Sequence, residues 1–324
     1  MESINKNFKF KLFSNSDISH FTISRNGETK IGENLCDLST AKYIIIGVQE
    51  SLGPLANKGR KGAENAFEPF LSKFLNMQAN ETLFGQDVAV LGSIVSIVDY
   101  DVTQDLGELV KDLDKFLVFI LDNYVQTNQI PIVIGGGHNN AYPLIKFSSK
   151  RLKDKINVVN LDAHADYRPL EGRHSGNPFS YAFNEGYVEK YTVFGIHQRY
   201  NNQKIISNLK SDGHTFTYFE DYLDDKLNWI NDFNDFILKS NNENKLFTGI
   251  ELDLDAIEYM PSSAFSPVGV SNLLARKYIR KMAKLNKIAY IHLPEGAPTN
   301  TNEESVVGKT LAYLVSDFIS CHGA

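Results

Sequence analysis

Apolar and polar positions along this chain follow two rhythms that take turns. Tyr43-Ile44-Ile45-Ile46-Gly47-Val48 is a short β-branched run that reaches a glycine, which predicts a strand buried on both faces. From Asp105 to Asn128 the apolar residues Leu106, Leu109, Val110, Leu113, Phe116, Leu117, Ile120 and Leu121 fall at helical spacing, with acids in the first turns. Pro131 to Ile134 then reads as a strand stopped by Gly135-Gly136-Gly137. The same exchange predicts helices at Tyr142 to Leu152, from Lys204 to Leu209, at Ser271 to Leu285 and at Glu303 to Ile319. It predicts strands at Ile156 to Leu161, Tyr191 to Ile196, Leu246 to Leu254 and Ile288 to Leu293.

Strand–helix alternation of this kind predicts an α/β fold with parallel strands and helices on both faces. There is no internal repeat, low-complexity tract or Pro/Ser-rich linker, so residues 1–324 read as a single domain. Residues 1–40 and the stretch from Asp221 to Asn244 are less regular and read as decorations on that core.

Composition narrows the class. Hydrophobic residues are 42% and charged residues 22% of 324, which allows a sizeable core without covalent staples. A net charge of −6 offers no broad attraction for phosphate backbones or anionic membranes, so neither nucleic acid nor membrane is an expected partner. The cysteines, Cys36 and Cys321, are too few for a disulfide scaffold. No secretory h-region and no apolar run of transmembrane length is present, which makes the cytoplasm the expected location.

Three segments place acids and histidines just beyond apolar strands, where open α/β sheets bind ligands. In Gly135-Gly136-Gly137-His138-Asn139-Asn140-Ala141 the glycines permit a tight turn before His138. Taken alone, this segment is better explained by a plain glycine turn with a satisfied histidine. A dinucleotide fingerprint does not explain it, because the third glycine is missing at the required spacing. In Asp162-Ala163-His164-Ala165-Asp166 the polar residues alternate with period two, so extended backbone would put all three on one side. Burying such carboxylates is costly unless a cation or hydrogen bonds compensate. Asp253 and Asp255 alternate likewise with Leu252 and Leu254, and Glu251 shares their side by parity. Two histidines and four aspartates without cysteine suit manganese or magnesium, with imidazole tilting the set toward manganese. Six such ligands suffice for two ions that activate one water.

These segments, taken in order, resemble the signature motifs of the arginase/agmatinase/formiminoglutamase (ureohydrolase) family from about Gly47 to Leu293. The resemblance implies a three-layer α/β/α sandwich with a mainly parallel central sheet. It implies two Mn2+ per chain: His138 and Asp166 on one ion, His164 and Asp255 on the other, with Asp162 and Asp253 bridging. It also implies attack by a metal-bridging hydroxide on an amidine or guanidine carbon, with Asp166 relaying a proton. The small-molecule substrate is then hydrolysed at a C–N bond, and the chain is expected to form a homo-oligomer, as family members commonly do.

Within the family the chain is most similar to formiminoglutamase. Asn57 to Ala63 resembles that branch's early segment, and so does Ser175-Gly176-Asn177-Pro178-Phe179. The implied reaction converts N-formimino-L-glutamate to L-glutamate and formamide. Two substrate carboxylates call for cations, and Arg168, Arg199 and Arg60 are the candidates, with Asn177 a further substrate contact. His174 is a candidate catalytic group, one residue before the position where arginases and agmatinases usually place a histidine. After the final strand the family usually carries a substrate-holding glutamate. By strand register His292 takes that place here, and Glu295 could substitute from the loop. The rival readings are a urea-releasing ureohydrolase, a single-zinc deacetylase of related fold and a non-catalytic metal-binding member.

Overall fold

The computed structural model describes residues 2–101, 105–243 and 245–322, so Met1, Asn244 and Ala324, where expected boundaries fall, lie outside the described residues. Its strands are β1 Glu2–Ile4, β2 Phe8–Leu12, β3 Tyr43–Gln49, β4 Val88–Ser96, β5 Ile130–Ile134, β6 Ile156–Leu161, β7 Val188–Ile196, β8 Thr215–Tyr218, β9 Thr248–Leu252 and β10 Ile288–Leu293. Among the described residues they form one ten-stranded sheet in the order β1-β2-β4-β3-β5-β10-β9-β6-β7-β8. Strands β3 to β10 run parallel, while β1 and β2 add an antiparallel edge.

The near-continuous apolar strands follow from burial on both faces. Tyr43 and Ile45 of β3 enter one core, whereas Ile44, Ile46 and Val48 enter the other. The first core lies under helices Phe67–Phe74, Trp229–Glu243, Asn272–Met282 and Thr301–Cys321. The second lies under Leu106–Tyr124, Ala141–Leu152, Pro178–Asn184 and Gln203–Ser211. The sandwich is therefore helix, sheet, helix, the expected α/β arrangement. Full burial of each large apolar side chain contributes about 1.5–3 kcal/mol. Helix starts are fixed locally. Asn300, for example, accepts hydrogen bonds from Asn302 N and Glu303 N at the head of the last helix.

Two irregular stretches carry more structure than their sequences suggest. Within residues 1–40, β2 pairs with β4 and buries Phe8 and Phe10 completely. The stretch from Asp221 includes the fifteen-residue helix Trp229–Glu243, whose Phe233 and Ile237 enter the core. Two sequence neighbours, β5 and β6, are separated in the sheet by β10 and β9. The carboxyl ends of these four central strands border the place where the winding changes direction, the usual position of a ligand crevice.

Candidate metal centre

The glycine turn after β5 is shaped by its surroundings. Gly135 and Gly136 have φ of 81° and 67°, and a Cβ on Gly136 would fall 2.5 Å from the Asn140 side-chain nitrogen. Glu50, buried just beyond β3, pins the turn: its Oε1 accepts from Gly137 N at 2.9 Å and from Asn140 Nδ2 at 2.8 Å. His138 is thereby held over the central strands, edge-on to Phe179.

Around it the three segments converge. His138 Nδ1 lies 2.9 Å from Asp166 Oδ2, 2.9 Å from Asp253 Oδ2 and 3.3 Å from Asp162 Oδ2. His164 Nδ1 lies 3.1 Å from Asp255 Oδ2 and 3.7 Å from Asp162 Oδ1. Asp162 alone belongs to both groups, while Asp253 faces His138. The aspartates are fixed from behind. Asn160 Nδ2 donates to Asp162 Oδ2 at 2.9 Å, and Asp253 Oδ1 accepts from Asp255 N at 2.7 Å. Asp166 departs from the extended alternation read in the sequence. Its φ is +44°, a costly conformation for a side chain with Cβ. That turn of the chain brings its carboxylate back toward His138.

The donor chemistry fits a metal centre. Both ring nitrogens of His138 are buried without a hydrogen-bond partner, though three carboxylates crowd Nδ1. Burial opposes protonation of His138, yet the carboxylates of Asp162, Asp166, Asp253 and Glu251 hold its imidazolium well above the ordinary range. His164 is raised in the same way, against its burial, chiefly by Asp255 and Asp162. Burial pushes Asp166 up to about 6, with Asp162 adding to the rise, and burial and Asp255 push Asp253 up as well. The protein alone thus balances its carboxylates with protons, a role a divalent cation takes over.

Behind His138 stands a second buried group that parity placed on the right side but that sequence reasoning gave no role. Glu251 Oε2 is 3.4 Å from His138 Nε2 and 2.7 Å from His292 Nδ1, while its Oε1 accepts from Tyr290 Oη at 2.6 Å. Carboxylates in this position fix the tautomer of a metal-binding imidazole and raise its basicity. His292, fully buried, faces Glu251 instead of the cleft.

A cavity of about 420 Å³ opens onto the cluster. His164, Asp166, Asp253, Asp255 and Glu295 line its floor, and Asn57, Lys58, Arg168 and Tyr200 its walls. Glu295 sits at a positive φ of 68° and accepts from His138 N at 2.6 Å and from Ser263 Oγ. Burial pushes its carboxyl up to about 8. Arg168 Nη1 donates to Asn57 Oδ1 at 2.7 Å, which sets the guanidinium at the mouth.

Other candidates are not among the residues that line the cleft. Asn177 is fully buried and ties its own loop together, accepting from Arg173 Nη1 and His174 N and donating to Gly172 O. His174 is buried, accepts from Gly176 N and is pushed down to about 4 by burial and by Arg168. The Arg60 side chain braces the Ser262 carbonyl at 2.6 Å, and exposed Arg199 is not among the lining residues. Lys58 and Tyr200, which do line the cleft, carried no signal beyond residue type.

Residues 41–320 match the family model described as Arginase family. A formimidoylglutamase of Hahella chejuensis is 32% identical over 193 residues, spanning 56% of this chain and only 55% of the relative. That of Streptococcus pyogenes is 25% identical over 292 residues, 86% of this chain and 85% of the relative. Among solved structures, Trypanosoma cruzi formiminoglutamase with Mn2+ superposes with a TM-score of 0.72 at 20% identity, covering 90% of this chain and 97% of that one. No helix among the described residues is long and apolar enough to cross a membrane.

Proposed function

The chain belongs to the arginase family, and from that premise we propose that it is a binuclear manganese hydrolase cleaving N-formimino-L-glutamate to L-glutamate and formamide. The observation that carries the reading is the convergence of His138, Asp162, Asp166, Asp253, His164 and Asp255 on one buried floor of a cleft. His138, Asp162, Asp166 and Asp253 would hold one ion, and Asp162, His164 and Asp255 the other. When bound, such a pair supplies Lewis acidity and an acidified water.

The side chains divide the remaining work. Asp166, on the floor of the cleft, accepts a proton as the formimino carbon gains oxygen and delivers it to the departing glutamate nitrogen. The C–N bond to that nitrogen breaks; water's oxygen becomes the formamide oxygen, and its two hydrogens end on the departing amine and on the formamide nitrogen. Glu295, on the same floor, faces the amidine nitrogens. Arg168 and Lys58 at the wall receive the two carboxylates, and Asn57 fixes the angle of Arg168. Similarity to the formimidoylglutamases of Hahella and Streptococcus supports this substrate.

Glu295 also favours a second reading, a guanidino acid releasing urea, because a carboxyl at that place can hold a guanidinium. An assay of the manganese-loaded protein on N-formimino-L-glutamate, arginine, agmatine and guanidinobutyrate, with formamide and urea detected separately, decides between them. Formamide from the first substrate alone is the expected result. Urea from any of the others selects the second reading, and no product from all four leaves a metal-binding protein without this activity.

A further inference from the structure

We propose a second ligand site, at the opposite end of β6 from the metal cluster, which takes a flat heterocycle of the nucleobase class carrying an anionic arm. A cavity of about 440 Å³ is lined by residues of β6, β7 and β8 on one side and of the helix Trp229–Glu243 on the other. That is within the range of small-molecule pockets, roughly 300–1,000 Å³. Its floor comes from alternate positions of the three strands: Asn157, Thr192, Phe194, Thr215 and Thr217. Farther along the same face of β6, Val159 and Leu161 pack into the core. Amide and hydroxyl groups beneath a covering helix are out of keeping with strands that are otherwise apolar on both faces.

The hydroxyls are satisfied and the amide is not. Thr192 and Thr215 share a hydrogen bond of 2.8 Å, and Thr217 Oγ1 accepts from Gly195 N at 3.1 Å and donates to Tyr222 Oη at 3.0 Å. Asn157 is 5% exposed, and neither its Nδ2 nor its Oδ1 has a protein partner. A buried polar side chain left in that state is strongly disfavoured, so the position is shaped for a partner from outside the chain. A free primary amide matches an edge that sets a donor beside an acceptor, the pairing by which asparagine reads adenine. Phe194 and Phe236, packed edge to face with ring centroids 6.0 Å apart, together give the cavity an apolar wall for a ring to lie against. Lys190 and Lys239 line the same cavity and supply positive charge for an anionic arm; of the two acids that also line it, Asp232 is engaged by Tyr222 Oη at 2.8 Å and Asp235 is exposed.

None of these residues belongs to the metal centre, so the proposal stands apart from the hydrolytic reading. Titration calorimetry of the full chain with adenosine and with adenosine monophosphate tests it. Both probes are expected to bind with dissociation constants below about 1 mM, the monophosphate more tightly. Asn157→Leu, close to the asparagine in size, should weaken both by more than about tenfold, and Lys190→Ala with Lys239→Ala should weaken the monophosphate alone. Failure of both probes to bind the unaltered protein overturns the proposal. So does an Asn157→Leu protein that binds as before, with or without a gain in melting temperature, since the cavity would then be a packing defect. If Asn157→Leu does not fold, Phe236→Ala decides: undiminished binding of both probes overturns the site.

Discussion

His138 and His164 face the same carboxylates from different surroundings. The His138 side chain is 1% exposed and is backed by Glu251, which Tyr290 and His292 hold from the other side. The His164 side chain is 30% exposed and is backed by the ring of Tyr200, in a stack that continues through His197 to Phe219. One imidazole is braced by a buried anion, the other by a half-exposed aromatic wall. A buried anion both orients the ligand and raises its basicity, whereas a ring orients it only. The two halves should therefore bind metal unequally, the His138 half more tightly and the His164 half more weakly and closer to solvent.

The largest effect should come from the carboxylate that serves both halves. Asp162→Ala is expected to abolish binding of both ions and to lower hydrolysis by more than about 10³-fold, roughly 4 kcal/mol. Asp255→Ala should strip only the His164 half and leave one ion in place. Metal content after gel filtration distinguishes these outcomes, and two ions retained by Asp162→Ala would end the idea of a shared ligand.

Glu251→Gln addresses the inequality itself. The variant keeps shape but removes the charge behind His138, and it should weaken the tighter manganese site by about 10–100-fold. The weaker site should hardly move. A manganese titration is expected to change from two separated steps to nearly one, and an unchanged first step would leave Glu251 a merely structural residue.

That Glu251 role marks where sequence reading stops. The clustered acids and histidines were legible as candidate ligands because each segment follows an apolar strand, and acids there need a compensating charge whatever the fold. Asp166 was legible as a residue type, but its left-handed backbone was not, since nothing in Ala163-His164-Ala165-Asp166 requires it. Cleft contacts were harder. Asn177 and His292 stand beside the right motifs, yet one ties its own loop and the other supports Glu251. Only the three-dimensional packing tells a buried brace from a ligand. The helix Trp229–Glu243 shows the same limit in the fold. Its apolar Trp229, Ile230, Phe233, Phe236 and Ile237 keep helical spacing, but the six asparagines and aspartates from Asn231 to Asn242 mask it with weak helix formers.

Proton release sharpens the comparison next. Carboxylates hold both imidazoles protonated well above the ordinary histidine range, and ligation requires them neutral. Binding must therefore expel protons, so affinity rises with pH throughout the range below those raised values. Each proton released is worth about tenfold in affinity per pH unit. Calorimetry in buffers of different ionisation enthalpy counts the protons. Asp255→Ala should lower the count, because it removes the group that contributes first to the rise at His164 after burial is opposed. A count of zero would mean that the cluster is already deprotonated before metal arrives.

The smallest effect tests the aromatic side. Tyr200 lies 5.1 Å from His164 and 5.0 Å from His197, with interplanar angles of 17° and 9°, while remaining 47% exposed. A stacked pair of this kind contributes about 0.5–1 kcal/mol beyond the area it buries, which is about two- to fivefold in an equilibrium constant. Tyr200→Ala should therefore weaken the second manganese step by that factor and leave the first, behind Glu251, where it was. Tyr200→Phe keeps the ring and should restore the second step, because the Tyr200 hydroxyl makes only a 3.4 Å contact with Ser266 Oγ. If Tyr200→Ala shifted both steps equally, the wall would be acting through the whole cleft floor, and the separation of the two halves would rest on Glu251 alone.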